Sequence, residues 1–439
     1  MKDSNGYYQI IHHYSLSTLL HRSKYSEIYK AIDIKTQENY AIKCISKQKL
    51  NQSRYCNRVI FNETITSQLL SHPNILSALE VLDSSSTIYQ VTNYCEHGDL
   101  LHFLRKKVLN FQMSLKVISQ LLEAVEFLHS FGICHRDIKL DNILLDKGGK
   151  VYLSDFSMSS ITFNRIIRSG IGCFDYLAPE AIKEHEFNGF KADMWSLGVV
   201  FYAIYTRKFP YRNPNPNFDF KQDVDYSRVP EEIRNFIQSL LSINPNDRPS
   251  ATECLRNPIF NNFPRVEKLP LSSIENHNFS QVDLNSFIIG LSRALGMSLT
   301  NLKAKLECDK MNQEKLMLLL HKCNIYREAK ENKDRGFFKL PSLEKGAYLK
   351  KTEIFSYRSD RLYSLFYESV LSNDLLISSS LSPRTFIFIP SSKDVLKITF
   401  SIDTLNEDKN KCCLTLYGET KFNDVMDKII SDLNKKKNV

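Results

Sequence analysis

Over residues 14–93 the chain alternates apolar and polar positions in short runs: YSLSTLL, SEIYKAI, NYAIKCI, ILSALEVL and TIYQVTNY. Alternation of period two puts successive side chains on opposite faces of a strand, so this stretch predicts a five-stranded sheet. One helix interrupts it, over about Arg54–Leu70. From Asp99 the period changes. LLHFLRKK and MSLKVISQLLEAVEFLHSF carry apolar residues three and four apart, the spacing of one helix face. Short strands follow near Ile143, then a polar segment over 156–177 and a long helix over Ala192–Thr206. NPNPN at 213–217 is a proline-punctuated loop. Helical pieces over 231–241 and 251–256 close this unit near Phe263-Pro264.

Beyond it the pattern resets. Residues 284–327 predict two or three short amphipathic helices around Leu295-Gly296-Met297, and the charged stretch 328–350 reads as a linker. From about Phe386 the chain alternates again (TFIFI, LKITFSI, CCLTLYG). A Gly418-Glu419 turn and an amphipathic helix over Phe422–Leu433 then lead to Lys435-Lys436-Lys437. The expected class is α+β, in units of 14–264, 284–327 and 351–439.

Composition narrows this only slightly. The 439 residues are 42% hydrophobic and 24% charged, ordinary for a globular protein. No apolar run reaches membrane-spanning length, and MKDSNGYYQ lacks a signal peptide's apolar core. Ten cysteines without CxxC pairs or zinc-type spacing read as reduced thiols, so a cytoplasmic protein is expected, with the nucleus as the alternative. Of the net charge of +9, most falls from Arg265 onward, where 28 Lys and Arg face 22 Asp and Glu. That excess could favour an anionic surface, although a solvated exterior accounts for most of it.

The chemistry concentrates in His135-Arg136-Asp137-Ile138-Lys139-Leu140-Asp141-Asn142, directly before the apolar strand Ile143-Leu144-Leu145. A carboxylate, an ammonium and a carboxamide stand together on one short loop. Transfer of a phosphoryl group to a hydroxyl needs a base to orient the nucleophile, a cation on the moving charge and an oxygen ligand for a metal. Asp137, Lys139 and Asn142 are of those three types.

The loop, together with Ala41-Ile42-Lys43, Asp155-Phe156, Ala178-Pro179-Glu180 and ADMWSLGV in that order, resembles the eukaryotic protein-kinase family over residues 14–264. The resemblance is to the serine/threonine type, in the calmodulin-dependent and AMP-activated-kinase-like group. It implies a bilobal fold, a β-rich lobe over an α-rich lobe, with ATP and Mg²⁺ as cofactors. By this resemblance Lys43 holds the α- and β-phosphates and is fixed by Glu63. Asp137 orients the substrate hydroxyl, Lys139 neutralises the γ-phosphate, and Asn142 and Asp155 bind Mg²⁺. Thr92 is the gatekeeper, with the backbone of Asn93 and Cys95 on the purine edge. Ile28, Ala41 and Leu144 sandwich the ring, and Asp99 reaches the ribose. His135 is expected to pack in the core, Glu180 to pair with Arg248, and Asp193 to hold the catalytic-loop backbone.

The sequence also departs from the family. Where a glycine-rich loop is expected it has HRSKYSEI (21–28), with Ser23 and Ser26 at glycine positions and Tyr25 at the tip. Added Cβ atoms there predict weaker nucleotide binding. Ser157 replaces the glycine after Phe156, Cys173 replaces the threonine after Gly172, and Ser67 replaces a large apolar residue. The expected function is a protein serine/threonine kinase, with a pseudokinase scaffold that binds nucleotide weakly as the alternative. Expected partners are protein substrates, an upstream kinase acting at Ser169 beside Arg136, and an acidic phospholipid surface at the C-terminal unit, with no nucleic acid. Asp99 and Asp141 together suit a substrate with an Arg three residues before its Ser or Thr. The tail resembles a ubiquitin-associated-like autoinhibitory segment followed by a kinase-associated C-terminal domain.

Overall fold

The computed structural model describes residues 10–11, 13–51, 66–84, 86–162, 164–168, 172–211, 214, 217–220, 223–267, 274, 284, 287–288, 291, 298–331, 348–355, 377–378, 385–388, 396–404, 412–419 and 423–436. The N-terminal lobe is an antiparallel sheet of β1 (Ile10–Ile11), β2 (Tyr14–Arg22), β3 (Ser26–Asp33), β4 (Asn39–Ser46), β5 (Glu80–Asp83) and β6 (Thr87–Asn93), in the order β1-β2-β3-β4-β6-β5. The five predicted strands are present, and Ile10–Ile11 adds a short edge.

Alternation gives the sheet two apolar faces. Leu16, Tyr29, Ala31, Ile42, Leu82 and Val91 cluster on one, and Ile45, Ala78, Val81 and Ile88 on the other. Val81 and Leu82 are neighbours in sequence yet belong to opposite clusters, as the pleat requires. The helix Lys47–Asn51 (α1) follows β4. Of the predicted helix over Arg54–Leu70, the structure describes only its end, Ser67–Leu69 (α2), with Thr66 before it. Glu63 lies outside the described residues.

The second lobe is mainly helical. Strand β7 (Gly98–Asp99) leads into α3 (Leu100–Lys106), and α4 (Phe111–Ser130) is capped by Asn110, whose side chain accepts from the Met113 N–H. Leu121, Leu122, Val125 and Leu128 on α4 are fully buried. Short strands follow: β8 (Ile133–Cys134), β9 (Ile143–Leu145), β10 (Val151–Leu153), β11 (Ser160–Ile161), β12 (Ile166–Ile167) and β13 (Phe187–Asn188). β9 pairs with β7 and β10, β8 with β11, and β12 with β13.

After the short helix α5 (Pro179–Lys183) comes α6 (Gly189–Thr206). It starts three residues before the predicted Ala192, because the Asn188 side chain caps the N–H groups of Phe190 and Lys191. Gly189 allows β8 and β12 to approach. A Cβ there would stand 2.5 Å from Ile167 Cγ1 and 2.6 Å from Cys134 Sγ. Helices α7 (Glu231–Leu240) and α8 (Ala251–Leu255) complete the lobe.

The tail is not separate from this core. Helices α9 (Leu299–Glu307) and α10 (Gln313–Glu331) bury Leu302, Leu316, Met317 and Leu320 in the same cluster as α4 and α6. Further on, β14 (Tyr348–Phe355), β16 (Thr385–Phe388), β17 (Leu396–Thr404) and β18 (Cys412–Glu419) form an antiparallel sheet in the order β14-β18-β17-β16. Between them, β15 (Ile377–Ser378) adds to the outer edge of β5, making the N-terminal sheet seven-stranded.

Three expectations change here. α10 runs to Glu331 and β14 begins at Tyr348, both inside the stretch read as a linker. Gly418 and Glu419 pair with Leu349 and Tyr348, so they extend a ladder rather than turn the chain. The last helix, α11 (Asn423–Lys436), passes the predicted Leu433. It buries Met426, Ile429 and Leu433, an i, i+3, i+7 stripe. Lys435 Nζ lies 3.6 Å from Asp432, so part of the terminal positive charge is answered locally. Among the described residues no helix is long and apolar enough to cross a membrane.

Candidate active site

The loop between β8 and β9 is held from below by α6. Asp193, 2% exposed, accepts the His135 N–H on Oδ2 (2.9 Å) and the Arg136 N–H on Oδ1 (2.9 Å). Arg136 has φ 71, a costly conformation for a side chain with Cβ, and the paired bonds from Asp193 hold the backbone there. His129, near the end of α4, places Nε2 2.9 Å from Asp193 Oδ2 and stacks on Phe190. His135 is fully buried as expected, with Nε2 3.0 Å from the Ser154 carbonyl and its ring against Phe156. Burial pushes its pKa down.

On this frame Asp137 and its partners converge. Lys139 Nζ donates to Asp137 Oδ2 at 2.6 Å, and Asn142 Nδ2 donates to the same oxygen and to the Asp137 carbonyl, both at 2.8 Å. Burial opposes the Lys139 charge, but the adjacent Asp137, with Asp155 and Asp141 nearby, together outweighs it and the pKa rises. The loop also depends on Gly172, with φ 139, where a Cβ would meet the Arg136 carbonyl at 3.2 Å. Tyr176 Oη accepts the Leu140 N–H (3.3 Å).

Across the cleft, β3 and β4 pair with Ile28 opposite Lys43, and β4 and β6 with Ala41 opposite Thr92. Thr92 is buried and donates through Oγ1 to the Ala41 carbonyl (3.3 Å). Ile28, Ala41 and Leu144 are each half-buried. Asn93 is exposed, while Cys95 is buried and its carbonyl accepts the Gly98 N–H (3.0 Å). Burial and nearby acids push the Cys95 thiol up to about 12, so it stays protonated. Asp99 caps α3, accepting the His102 N–H at 2.7 Å, so one of its oxygens is used structurally.

Lys43 Nζ reaches Asp155 Oδ1 at 3.4 Å. Burial alone would raise the Asp155 carboxyl. The Lys43 ammonium and hydrogen bonds from the Ser157 side chain and backbone outweigh that and hold it well below the usual carboxylate range. Asp155 has φ 63, a second strained position next to the cleft. As oxygen donors, Asp155 and Asn142 suit a hard divalent cation such as Mg²⁺.

The loop between β2 and β3 differs from an open phosphate cradle. The Ser23 N–H donates to the Ser26 carbonyl (2.8 Å), the Ser26 N–H donates to Ser23 Oγ (3.1 Å), and the two hydroxyl oxygens lie 2.9 Å apart. The two serines therefore clasp each other across a tight turn. Tyr25 does not project from the tip. It packs against the Ile45, Leu50 and Val81 cluster, and its carbonyl accepts the Ser46 N–H.

Cys173 is exposed. Ser169 lies outside the described residues, and its neighbour Arg168 pairs with Glu186 at 2.8 Å in the open. Glu180 receives a bidentate pair from Arg248 (2.6 and 2.8 Å), fully buried, with the guanidinium over Trp195. Pattern reading missed His129 and Tyr176, because nothing in a helix end or a polar segment marks a residue that folds back on a distant loop.

A β-rich lobe carrying Lys43, set over a helical lobe carrying Asp137, Lys139, Asn142 and Asp155, defines the protein-kinase class of fold. The chain belongs to the protein-kinase family: residues 14–260 match the protein kinase domain. It is similar to CBL-interacting serine/threonine-protein kinase 15 of Arabidopsis thaliana, 31% identical over 256 residues, which are 56% of this chain and 61% of that protein. CBL-interacting protein kinase 10 of Oryza sativa subsp. japonica is 29% identical over 259 residues, 56% of each chain. The hormonally up-regulated neu tumor-associated kinase homolog A of Xenopus laevis is 30% identical over 257 residues, 56% of this chain and 37% of that protein. The matched segment spans less than two thirds of each of these relatives.

Proposed function

We propose that the chain is a protein serine/threonine kinase that transfers the γ-phosphate of Mg-ATP to a protein hydroxyl. The observation that carries this reading is the Asp137–Lys139–Asn142 constellation with Asp155 on the same lobe, which Lys43 reaches from across the cleft. Asp137 would orient the substrate hydroxyl and draw its proton. Lys139, 2.6 Å from that carboxylate, would stand where charge moves from donor to acceptor. Lys43 would hold the non-transferred phosphates. Asp155 and Asn142 would hold Mg²⁺, which when bound offsets phosphate charge. Ile28, Ala41, Thr92 and Leu144, with the backbone of Asn93 and Cys95, would receive the base.

Asp99 and the exposed Asp141 favour a substrate with an upstream Arg, since two carboxylates suit a guanidinium fork. The glycine-free turn favours a second reading, a nucleotide-binding scaffold without transfer, because the Ser23–Ser26 clasp occupies hydroxyls and amides that would otherwise meet phosphate.

A radiolabel transfer assay with Mg-ATP and a Ser/Thr peptide library separates the two. Label on upstream-Arg peptides with wild type, and a loss of about 10³-fold or more in Asp137→Asn, is the expected result. Nucleotide binding without label in either protein would establish the scaffold. Equal label in both would trace to a contaminant.

A further inference from the structure

The surface where α3 runs into α4 carries an excess of positive charge. Arg105, Lys106 and Lys107 close α3, Lys116 stands on the second turn of α4, and Arg207 and Lys208 follow α6; all six are exposed. The two segments meet, because Arg207 Nη2 donates to the Lys107 carbonyl at 2.5 Å. Between Leu100 and Leu122 the chain has no acidic residue, and between Met194 and Phe218 it again has none. Among the described residues none of the six cations forms an ion pair. Lys107 Nζ lies over the Phe103 ring at 5.7 Å, which leaves its charge in place. The carboxylate near Lys208 is Asp225, which accepts the Ser227 N–H and has Arg228 close by, so the local balance stays positive.

Charge alone would describe a solvated face. Two large apolar side chains stand among these cations, however: Val108 is 86% exposed and Met113 45%. They flank the start of α4, where Asn110 Oδ1 accepts the Met113 N–H at 2.8 Å. The turn is anchored from within, since Leu109 is buried and Phe111 packs on the core. Val108 is thus held outward by a fixed turn. A lone exposed valine is commonplace, but apolar tips ringed by unneutralised cations combine the two attractions that bind a protein to an anionic lipid surface. At that exposure Val108 projects from the surface and lines no groove. A projecting tip enters a headgroup layer, whereas an acidic peptide needs a groove to lie in.

From these observations we infer that the α3–α4 turn docks the catalytic lobe on a membrane surface rich in anionic phospholipid. Val108 and Met113 enter the headgroup layer, and the six cations face lipid phosphates and carboxylates. This surface is separate from the basic end of the tail, where Lys435 is answered by Asp432. Asp99 caps the other end of the seven-residue helix α3, so docking brings the candidate site to about 10 Å from the lipid. Docking itself rests on the surface alone and does not require phosphotransfer.

Co-sedimentation of the full chain with vesicles reads the docking directly, using pure phosphatidylcholine and equimolar phosphatidylcholine–phosphatidylserine. Partition onto the mixed vesicles is expected to be at least about tenfold stronger, and to weaken as salt screens the charges. Arg105→Glu, Lys106→Glu and Lys107→Glu combined should lower it about tenfold or more, with Tm checking the fold. Lys106→Gln with Lys116→Gln serves the same purpose, at a severalfold loss, if the triple variant fails to fold. Val108→Ser should weaken partition severalfold while leaving its salt dependence unchanged. Equal partition onto the two vesicles would overturn the inference, as would undiminished partition in the charge variants. If Lys435→Glu, Lys436→Glu and Lys437→Glu abolish partition while the α3 variants retain it, the lipid contact belongs to the tail and the inference fails. Retention on immobilised polyglutamate with no partition onto either vesicle would identify an acidic protein as the partner and also overturn it. Sedimentation is scored without ATP, so failure here and failure of the kinase reading are distinguishable.

Discussion

Ser157 stands where the family pattern has glycine, and its contacts give the substitution a role. Its N–H donates to Asp155 Oδ1 at 3.3 Å, and its side chain adds a further hydrogen bond to the same carboxylate. Asp155 is thereby held in its φ 63 conformation, pointing at Lys43. A hydrogen bond to a charged group contributes about 1.5–3 kcal/mol. Ser157→Ala is therefore expected to raise the Mg²⁺ concentration for half-maximal transfer by roughly tenfold, with a smaller change in kcat at saturating metal. A metal titration at fixed ATP tests this, and an unchanged midpoint would remove Ser157 from the positioning set. Side-chain chemistry at this scale was legible in the sequence, because Asp137, Lys139 and Asn142 stand five residues apart or fewer on one loop. The clasp between Ser23 and Ser26 was not legible. Two serines three apart suggest either a polar phosphate contact or a self-bonded turn, and only the β2–β3 register decides for the turn.

Helix α10 carries the tail's direct grip on the N-terminal lobe. Asn324 Nδ2 donates to the Leu69 carbonyl at 3.1 Å, at the end of α2, and Arg327 donates to the backbone and hydroxyl of Ser71. These contacts satisfy carbonyls left open where a helix ends. They also tie the tail to α2, which follows Glu63 in the sequence. If the tail restrains that helix, Asn324→Ala combined with Arg327→Ala should raise basal phosphotransfer of the full chain severalfold without loss of folding, checked by rate and Tm together. A drop in rate at unchanged Tm would mean that the tail supports the active arrangement instead. The helices of the tail were legible from their periodicity. Their docking was not, because an amphipathic stripe states that a face is buried but not which surface buries it.

Tail and catalytic lobe share one continuous apolar cluster, and the buried histidines His72 and His321 lie where they meet. His72 lies against Phe127, and His321 on α10 stacks on Phe287. Burial pushes both pKa values down to about 3, from 6.5 in the unfolded chain. The unfolded state therefore binds protons more readily below pH 6.5. The stability held by the neutral rings is complete above that value and falls as pH drops toward 3. At pH 5 each histidine would cost up to about 2 kcal/mol. Tm should fall steadily between pH 7 and 5, and His321→Phe should make that slope shallower; parallel slopes in the two proteins would exclude His321 as a contributor. The sequence by itself determined the two-lobe order, the phosphotransfer loop and its partners, because those depend on local period and on short spacings between reactive groups. Only the tertiary structure decided that His129 joins Asp193 in bracing the loop, that Tyr25 turns into the sheet, that β15 closes the β5 edge, and that the tail shares the apolar cluster of the catalytic lobe. Each of these joins residues far apart in the chain through packing and hydrogen bonds whose partners local pattern does not specify.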